Sequence, residues 1–223
     1  MRRVEPAAAL VGDIAVPGVK GLCQRAALLA AIADGVSEIC GFGHAADTDA
    51  ALDAVRELGA GVSEPSPGTI RIEGVGLRGL LAPYHPIDCR NAGTLLRLLA
   101  GVLAGQEGRF VLTGDESLSS RPHERIAIPL RQMGAEVETT NGSAPVTISG
   151  GVLEPTTYVL PVASAQVKSA ILLAGLQAHG TTVINQPSLS RDHTERLLPV
   201  FGARLTLDGL TVSIDGPQTL RHA

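Results

Sequence analysis

The sequence is poor in aromatic residues and contains no tryptophan. Three phenylalanines and two tyrosines are its entire aromatic content, although hydrophobic residues make up 44% of the chain. We therefore expect an aliphatic core built mainly from Ala, Val and Leu. A chain of 223 residues is long enough for one large domain and buries roughly 70% of its unfolded surface. Folding needs no disulfide or metal.

Basic residues are in the minority, with 18 Lys and Arg against 22 Asp and Glu and a formal net charge of −4. This balance argues against a nucleic-acid or anionic-membrane partner, so any anion has to be bound locally. No apolar run approaches the roughly 18 residues that a membrane span requires. The apolar stretch 7–11 is also too short for a signal peptide. We expect a soluble protein with no membrane partner.

Cysteine is scarce as well, with an odd number of three, at Cys23, Cys40 and Cys89. Their spacing matches neither a disulfide framework nor a zinc site, which is typical of a reducing compartment. His193 and Glu195 lack the spacing of a helical zinc pair, and no Walker or dinucleotide glycine pattern occurs. We therefore expect a cytoplasmic protein without metal or cofactor.

What the sequence does contain is an internal repeat. A Gly-Ala pair preceded by a large apolar residue occurs three times, at 58–60, 133–135 and 201–203. An Ala/Leu-rich segment that ends in glycine, as helices often do, lies upstream of each pair. The three segments are Ala26–Gly35, Thr94–Gly105 and Val167–Gly180. The repeat therefore predicts three structurally similar units.

Each of these helices is followed by a β-rich run, a second helix and two further strands. The β-rich runs are Val36–Cys40, Phe110–Thr113 and Thr181–Asn185. The pattern predicts an α/β (α+β) fold of three β-α-β-α-β-β units, over about 17–75, 86–150 and 157–216. Because the first helices are too apolar to face solvent, we expect one compact domain over 17–223 with helices inside and sheets outside.

The segments that precede the first helices, 17–20, 91–94 and 163–166, are polar or rich in glycine. A helix N-terminus presents free N–H groups and the positive end of the helix dipole to an anion. If the units share an axis, these ends converge into an anion site with Lys20, Arg25, Ser164 and Gln166. Taken singly, each segment is more typical of an ordinary turn or helix cap, and Lys20 of a solvated charge, than of a ligand site.

Arg121 precedes Pro122 at a predicted helix start, where a cation opposes the helix dipole. Such a charge needs a partner, which is either an anionic ligand or a neighbouring carboxylate, Asp115 or Glu124. The same argument applies to Arg191 in the third unit.

Five motifs follow one another along nearly the whole chain. They are Pro17–Arg25, Asn91–Arg97, Leu112–Pro122, Ala163–Ala170 and Ser190–Glu195. Together they resemble the N-terminal portion of the 5-enolpyruvylshikimate-3-phosphate (EPSP) synthase family. That family has two similar domains, each of three β-α-β-α-β-β units. It transfers the enolpyruvyl group of phosphoenolpyruvate to the 5-hydroxyl of shikimate 3-phosphate and releases phosphate, on the route to chorismate and the aromatic amino acids.

The resemblance also implies which residues bind the two substrates. Those implied for shikimate 3-phosphate are Lys20, Gly21, Arg25, Ser164, Ala165, Gln166 and Arg191. Those implied for phosphoenolpyruvate are Lys20, Gly93, Arg121 and Gln166. The family's acid and base lie in its second domain, so we expect no catalytic residue here and no activity from the chain alone. Segment 1–16 is expected to be a strand segment that pairs with that domain, and a second-domain polypeptide is a further expected partner.

Two departures from the family pattern concern the site. Gly21 stands where members usually carry serine, and Arg90 stands where they usually carry glycine. Both are expected to alter substrate affinity. One alternative is the related UDP-N-acetylglucosamine enolpyruvyl transferase family, which uses a cysteine in the loop equivalent to Glu116–Arg121 here. Another alternative is a fragment that binds shikimate 3-phosphate without catalysis.

Overall fold

The computed structural model describes Ala7, Ala9 and residues 11–223. The predicted strand segment 1–16 lies partly outside these residues, and its described part, Ala7, Ala9 and 11–16, forms neither helix nor strand. No helix among the described residues is both long and apolar enough to cross a membrane.

The helices and strands alternate along the chain. The helices are α1 Lys20–Ala31, α2 Ala46–Glu57, α3 Gly93–Leu103, α4 Glu116–Ser119, α5 Glu124–Gln132, α6 Ala165–Gly175 and α7 His193–Leu197, which a 3-10 turn, Leu198–Phe201, extends. The strands are β1 Ala33–Cys40, β2 Gly61–Ser66, β3 Thr69–Val75, β4 Ile87–Asp88, β5 Gly108–Thr113, β6 Glu136–Thr140, β7 Ser143–Gly150, β8 Thr157–Val159, β9 Gly180–Asn185, β10 Leu205–Asp208, β11 Thr211–Gly216 and β12 Leu220–Arg221.

These strands form three four-stranded sheets, with the orders β12-β1-β3-β2, β4-β5-β7-β6 and β8-β9-β11-β10. In each sheet the first pair is parallel and the others are antiparallel. The second and third units follow the predicted order β-α-β-α-β-β. For the first unit the prediction is wrong, because β12 from the far end of the sequence fills the parallel edge, with Ala33 opposite Leu220.

The helices lie inside and the sheets outside, which confirms the predicted fold class. Helices α3 and α6 are buried on almost every side. They approach so closely that a Cβ added at Gly101 would lie 2.2 Å from the Ala170 carbonyl oxygen. Strand β3 alternates instead, with Ile70 and Ile72 buried and Arg71 exposed, as expected of a sheet with one solvated face.

The three Gly-Ala pairs close their helices in the same way. The glycines Gly59, Gly134 and Gly202 have φ angles of +102°, +97° and +82°. In the first unit Gly59 N–H donates to Arg56 O, and Ala60 N–H donates to Val55 O, both at 3.0 Å. The other two pairs make the equivalent bonds. This is the Schellman arrangement, which requires a left-handed residue, and the repeat in sequence therefore reflects a repeated helix cap.

Helix α1 begins at Lys20, the last residue of the segment 17–20 that was predicted to precede it, and so extends upstream of the Ala/Leu-rich segment Ala26–Gly35. Its first two turns bury polar side chains, with Gln24 at 0% and Arg25 at 6% exposure. Apolar periodicity therefore does not mark these turns, although they belong to the helix. Arg25 therefore lies on the buried face of a helix.

Candidate functional site

The N-termini of α1, α3 and α6, one from each unit, meet at one cavity of about 100 Å³. Its lining residues are Val19, Lys20, Gly21, Arg25, Thr94, Ala165, Gln166, Arg191 and His193. Three of these side chains are cationic. The free N–H groups of three helix starts and this positive charge together suit an anion.

Lys20 is the first residue of α1, and its side chain is 58% exposed. Its Nζ lies 2.6 Å from Oδ2 of Asp47, in the first turn of α2. An acidic residue is favoured at that position by the helix dipole. Asp47 thus holds the ammonium group at the mouth of the cavity.

Arg25 is almost fully buried, and its contacts are all to neutral oxygens. Nε donates to Thr194 Oγ1 at 2.8 Å, Nη1 donates to Gly21 O at 2.9 Å, and Nη2 donates to Ser169 Oγ at 3.2 Å. Burial lowers the pKa of Arg25, whereas the nearby carboxylate of Glu195 acts in the opposite direction. The guanidinium is fixed in orientation, and its hydrogen-bond partners among the described residues include no carboxylate.

Gln166 joins α6 to α3 at the floor of the site. Its Oε1 accepts from Arg97 Nη1 at 2.7 Å, and its Nε2 donates to Thr94 Oγ1 at 2.9 Å. These two bonds settle the orientation of the amide. Burial lowers the pKa of Arg97 to about 10, and Arg125 and Arg121 add to this lowering.

Ser164 is the N-cap of α6, and its Oγ accepts from Val167 N–H at 3.4 Å. It does not line the cavity, whereas Ala165, the first residue of the helix, does. Ser164 therefore acts as an ordinary helix N-cap, as one of the alternatives for this segment predicted. Its hydroxyl hydrogen is still able to donate to a ligand.

Gly93 and Arg121 lie together beside the cavity rather than in its lining. A Cβ added at Gly93 would lie 3.3 Å from Arg121 Nη1 and 3.0 Å from Arg97 Nη1. Glycine thus leaves room for two guanidinium groups at the start of α3. The site has a second cationic region next to the first.

Asn91, rather than a carboxylate, orients Arg121. Nη2 of Arg121 lies 2.5 Å from Asn91 Oδ1 and 3.1 Å from Ser117 Oγ. Asn91 in turn donates to Asp115 Oδ2 at 2.7 Å, and this bond lowers the pKa of Asp115. Within residues 11–223, Arg121 forms a salt bridge with neither Asp115 nor Glu124, so the alternative of a direct carboxylate partner is wrong.

Arg90 precedes Asn91 and has a left-handed backbone, with φ of +50°. Its side chain extends away from the cavity to α2, where Nη2 lies 2.6 Å from Asp53 Oδ2 and Nη1 lies 3.1 Å from Ala46 O. The extra cation therefore joins two units and does not crowd the start of α3.

Arg191, in the loop that leads into α7, and His193, the first residue of α7, complete the lining. Burial lowers the pKa of His193, and Arg25 lowers it further. The imidazole is therefore neutral at neutral pH, and Arg191 is the charged group on this side.

Sequence reasoning missed several residues that shape the site. Asp47 was not predicted to contribute, because nothing local links it to the cavity. Thr94 and His193 lie within the segment 91–94 and the motif Ser190–Glu195 but were not singled out as site residues. Arg97 carried a signal, since it is the single charged residue of the apolar helix α3. A buried charge in such a helix requires partners, which here are Gln166 and the Gly93 carbonyl.

Three α/β units around shared buried helices, with cations gathered where those helices begin, define an enolpyruvyl-transferase-type domain. The chain belongs to the family described as EPSP synthase (3-phosphoshikimate 1-carboxyvinyltransferase), which it matches over residues 4–223. The resemblance stated from the five motifs is thereby confirmed, and the UDP-N-acetylglucosamine alternative is disfavoured.

Similar proteins agree with this assignment. A protein from Acidithiobacillus ferrooxidans named 3-phosphoshikimate 1-carboxyvinyltransferase is 48% identical over 213 residues, or 96% of this chain and 49% of that protein. One of the same name from Alkalilimnicola ehrlichii is 48% identical over 98% of this chain and 49% of its own length. The structure of EPSP synthase from Acinetobacter baumannii has a TM-score of 0.92 and 46% identity, over 95% of this chain and 48% of that one. The chain thus spans about half the length of the curated relatives it matches.

Proposed function

We propose that the chain serves enolpyruvyl transfer from phosphoenolpyruvate to the 5-hydroxyl of shikimate 3-phosphate, and that it supplies the shikimate 3-phosphate site. The observation that carries this proposal is the cavity where three helix N-termini meet beside Lys20, Arg25 and Arg191. Shikimate 3-phosphate bears a carboxylate and a phosphate. Guanidinium groups bind such oxyanions through charge-assisted, often bidentate, hydrogen bonds.

For this ligand we assign seven contact residues: Lys20, Gly21, Arg25, Ser164, Ala165, Gln166 and Arg191. Six of them line the cavity, and Ser164 is the N-cap of α6, which begins there. The backbone at Gly21 and Ala165 contributes N–H groups rather than side chains. The absence of a hydroxyl at Gly21 leaves the charges of Lys20 and Arg25 as the main attraction on that side.

For phosphoenolpyruvate we assign Lys20, Gly93, Arg121 and Gln166. Lys20 and Gln166 line the cavity, and Gly93 and Arg121 form the adjacent cationic region. Lys20 therefore stands between the two anions and offsets their mutual repulsion. Holding both substrates in one orientation converts a bimolecular addition into an effectively intramolecular one.

In this reaction the 5-hydroxyl adds to C2 of phosphoenolpyruvate while C3 is protonated, and the tetrahedral adduct then eliminates phosphate. Each general acid or base is typically worth about 10² to 10⁴ in rate. The family carries these groups in a second domain. We propose that turnover requires that domain, on the same or another polypeptide, and that the protein acts in the cytoplasm, where its free thiols remain reduced.

Calorimetric titration of the full chain with shikimate 3-phosphate tests the proposed site. We expect saturable binding that Lys20→Ala weakens at least about tenfold, as loss of a charged contact does. The matched control is Arg71→Ala, which removes a cation that pairs with Glu38 on the exposed face of β3. It is expected to leave the Kd unchanged within about twofold.

UDP-N-acetylglucosamine is the control ligand in the same titration. Equal or tighter binding of this compound, or no binding of shikimate 3-phosphate by a folded chain, would overturn the proposal. Phosphate release from both substrates is expected to stay at background with the chain alone. Measurable turnover by the chain alone would contradict the requirement for the second domain.

A further inference from the structure

Behind the cavity lies a buried polar cluster that joins α1, α6 and α7. Its members are Arg25 on α1, Lys168 and Ser169 on α6, and Thr194 and Glu195 on α7. All five residues are at most 6% exposed. Of these, only Arg25 lines the cavity.

The hydroxyl groups of Thr194 and Ser169 form a hydrogen-bonded series, and one arrangement of their hydrogens gives every donor and acceptor a partner. Their oxygens are 2.7 Å apart, and Ser169 Oγ lies 2.6 Å from Ala165 O. If Thr194 donates to Ser169 and Ser169 donates to Ala165 O, both hydroxyl oxygens are free to accept from Arg25. This series of hydrogen bonds therefore connects Arg25 to Ala165, the first residue of α6, which lines the cavity.

This arrangement holds the guanidinium without neutralising it. Of the five N–H donors of an arginine, three are taken by Thr194, Ser169 and the Gly21 carbonyl. Two donors remain for a ligand in the cavity. Glu195, the carboxylate that acts on the pKa of Arg25, is itself paired with Lys168, with 2.5 Å between Oε1 and Nζ.

The Lys168–Glu195 pair is itself costly to bury, with side chains only 1% and 2% exposed. Such pairs add little stability and are retained in some proteins because they specify one arrangement. Here Lys168 also donates to Gln186 Oε1 at 3.1 Å, which in turn accepts from Ser190 Oγ at 2.8 Å. One buried ammonium group thus fixes both ends of the loop that carries Arg191.

We propose that Thr194 and Ser169 are positioning residues for Arg25, and that the buried Lys168–Glu195 pair fixes Thr194 against α6. The inference rests on the proposed shikimate 3-phosphate site, because it assigns Arg25 an anionic ligand there. Neutral acceptors orient the guanidinium, and the carboxylate of Glu195 is kept on Lys168. The full charge of Arg25 is therefore directed to the cavity.

Thr194→Val removes the hydroxyl and keeps the shape of the side chain. We expect the variant to bind shikimate 3-phosphate about tenfold more weakly, because a buried charged donor then lacks its acceptor. Ser169→Ala should act in the same direction, and Thr194→Ser should recover most of the affinity. The matched control is Thr211→Val, whose hydroxyl bonds Asn185 Oδ1 at 2.8 Å in the third sheet. It should change the Kd by less than about twofold.

Testing Thr194→Val in a protein that already carries Arg25→Lys distinguishes loss of Arg25 positioning from a general loss of structure. In Arg25→Lys, a cation remains but the Nε–H that Thr194 accepts is lost. Adding Thr194→Val to Arg25→Lys should change the Kd by less than about twofold, because the two residues act as one unit. Equal weakening in both backgrounds, or no weakening in either, would overturn the inference.

The Nε–H resonance of Arg25 in a ¹H–¹⁵N spectrum gives a readout that needs no ligand. We expect slow solvent exchange in the wild-type chain and much faster exchange in Thr194→Val. Glu195→Gln combined with Lys168→Met removes both buried charges at similar volume, and its Arg25 Nε–H should also exchange faster. Unchanged exchange in both variants would overturn the positioning. Failure of the wild-type chain to bind shikimate 3-phosphate would refute only the proposed function, because exchange still decides the positioning.

Discussion

Asp47 Oδ2 lies 2.6 Å from Lys20 Nζ, so the cation at the mouth of the cavity already has an anionic partner. The two side chains are 20% and 58% exposed, respectively. An anionic ligand that uses Lys20 therefore has to share it with this carboxylate. Asp47 both orients the ammonium group and competes for it.

For Asp47→Asn we expect tighter binding of shikimate 3-phosphate, by about two- to fivefold at low salt. A unit charge about 4 Å away contributes about 1 kcal/mol in a water-like medium, and added salt should reduce the gain. Titration at two ionic strengths measures both effects. Asp208→Asn, on the exposed strand β10, is the matched control. Weaker binding in Asp47→Asn would mean that orientation outweighs competition.

At Arg90 the free-energy cost of a strained backbone can be compared with the stabilisation that the side chain's ion pair provides. Its left-handed φ of +50° costs a non-glycine residue about 1 kcal/mol or more. Its partly exposed pair with Asp53 contributes about 0 to 1 kcal/mol. We expect the free energy of unfolding of Arg90→Gly to exceed that of Arg90→Ala by about 1 kcal/mol in urea titrations. Equal stability of the two variants would show that the strain is absent.

Gly150 and Gly151 are neighbours with opposite surroundings. A Cβ at Gly150 would lie 2.3 Å from the carbonyl oxygens of both Gln106 and Leu103, whereas one at Gly151 would meet nothing within 4 Å. We expect Gly150→Ala to lower the free energy of unfolding by about 3 kcal/mol, since rigid backbone cannot yield. Gly151→Ala should lower it by less than about 1 kcal/mol. Thermal and urea unfolding measure both losses. Losses of similar size for Gly150→Ala and Gly151→Ala would contradict the close packing at Gly150.

His123 predicts a dependence of stability on pH. Burial lowers its pKa to about 4, and its Nε2 lies 3.2 Å from Leu118 O. Between this pKa and the unfolded value of about 6.5, the unfolded chain binds the proton and the folded chain does not. The contribution is therefore fully present above the unfolded pKa and is lost as the pH falls towards the folded one.

The measurement is urea unfolding at several pH values for the wild-type chain and His123→Gln, which carries no titrating imidazole. Below pH 6.5 the wild type should lose up to about 1.4 kcal/mol per pH unit more than the variant. Parallel pH profiles for the two proteins would contradict a neutral, buried His123.

The parts of the fold that the sequence predicted are those that depend on local chemistry. Each Gly-Ala pair forms its cap within a few residues, so Gly59, Gly134 and Gly202 could be recognised without tertiary information. The edge strand β12 could not be predicted in the same way. A strand of two residues is too short to show periodicity, and Ala33, which pairs with Leu220, lies near the other end of the sequence.

The sequence alone determined the three-unit architecture, the family and the residue types of the proposed anion site, because helix caps, apolar segments and motifs depend on residues close together in the sequence. Tertiary structure decided which groups hold those residues. Lys20 is held by Asp47, 27 positions away, and Arg25 by Thr194, 169 positions away. Such pairings follow from how three units pack around shared helices, since packing, and not sequence distance, sets which polar atoms become buried neighbours.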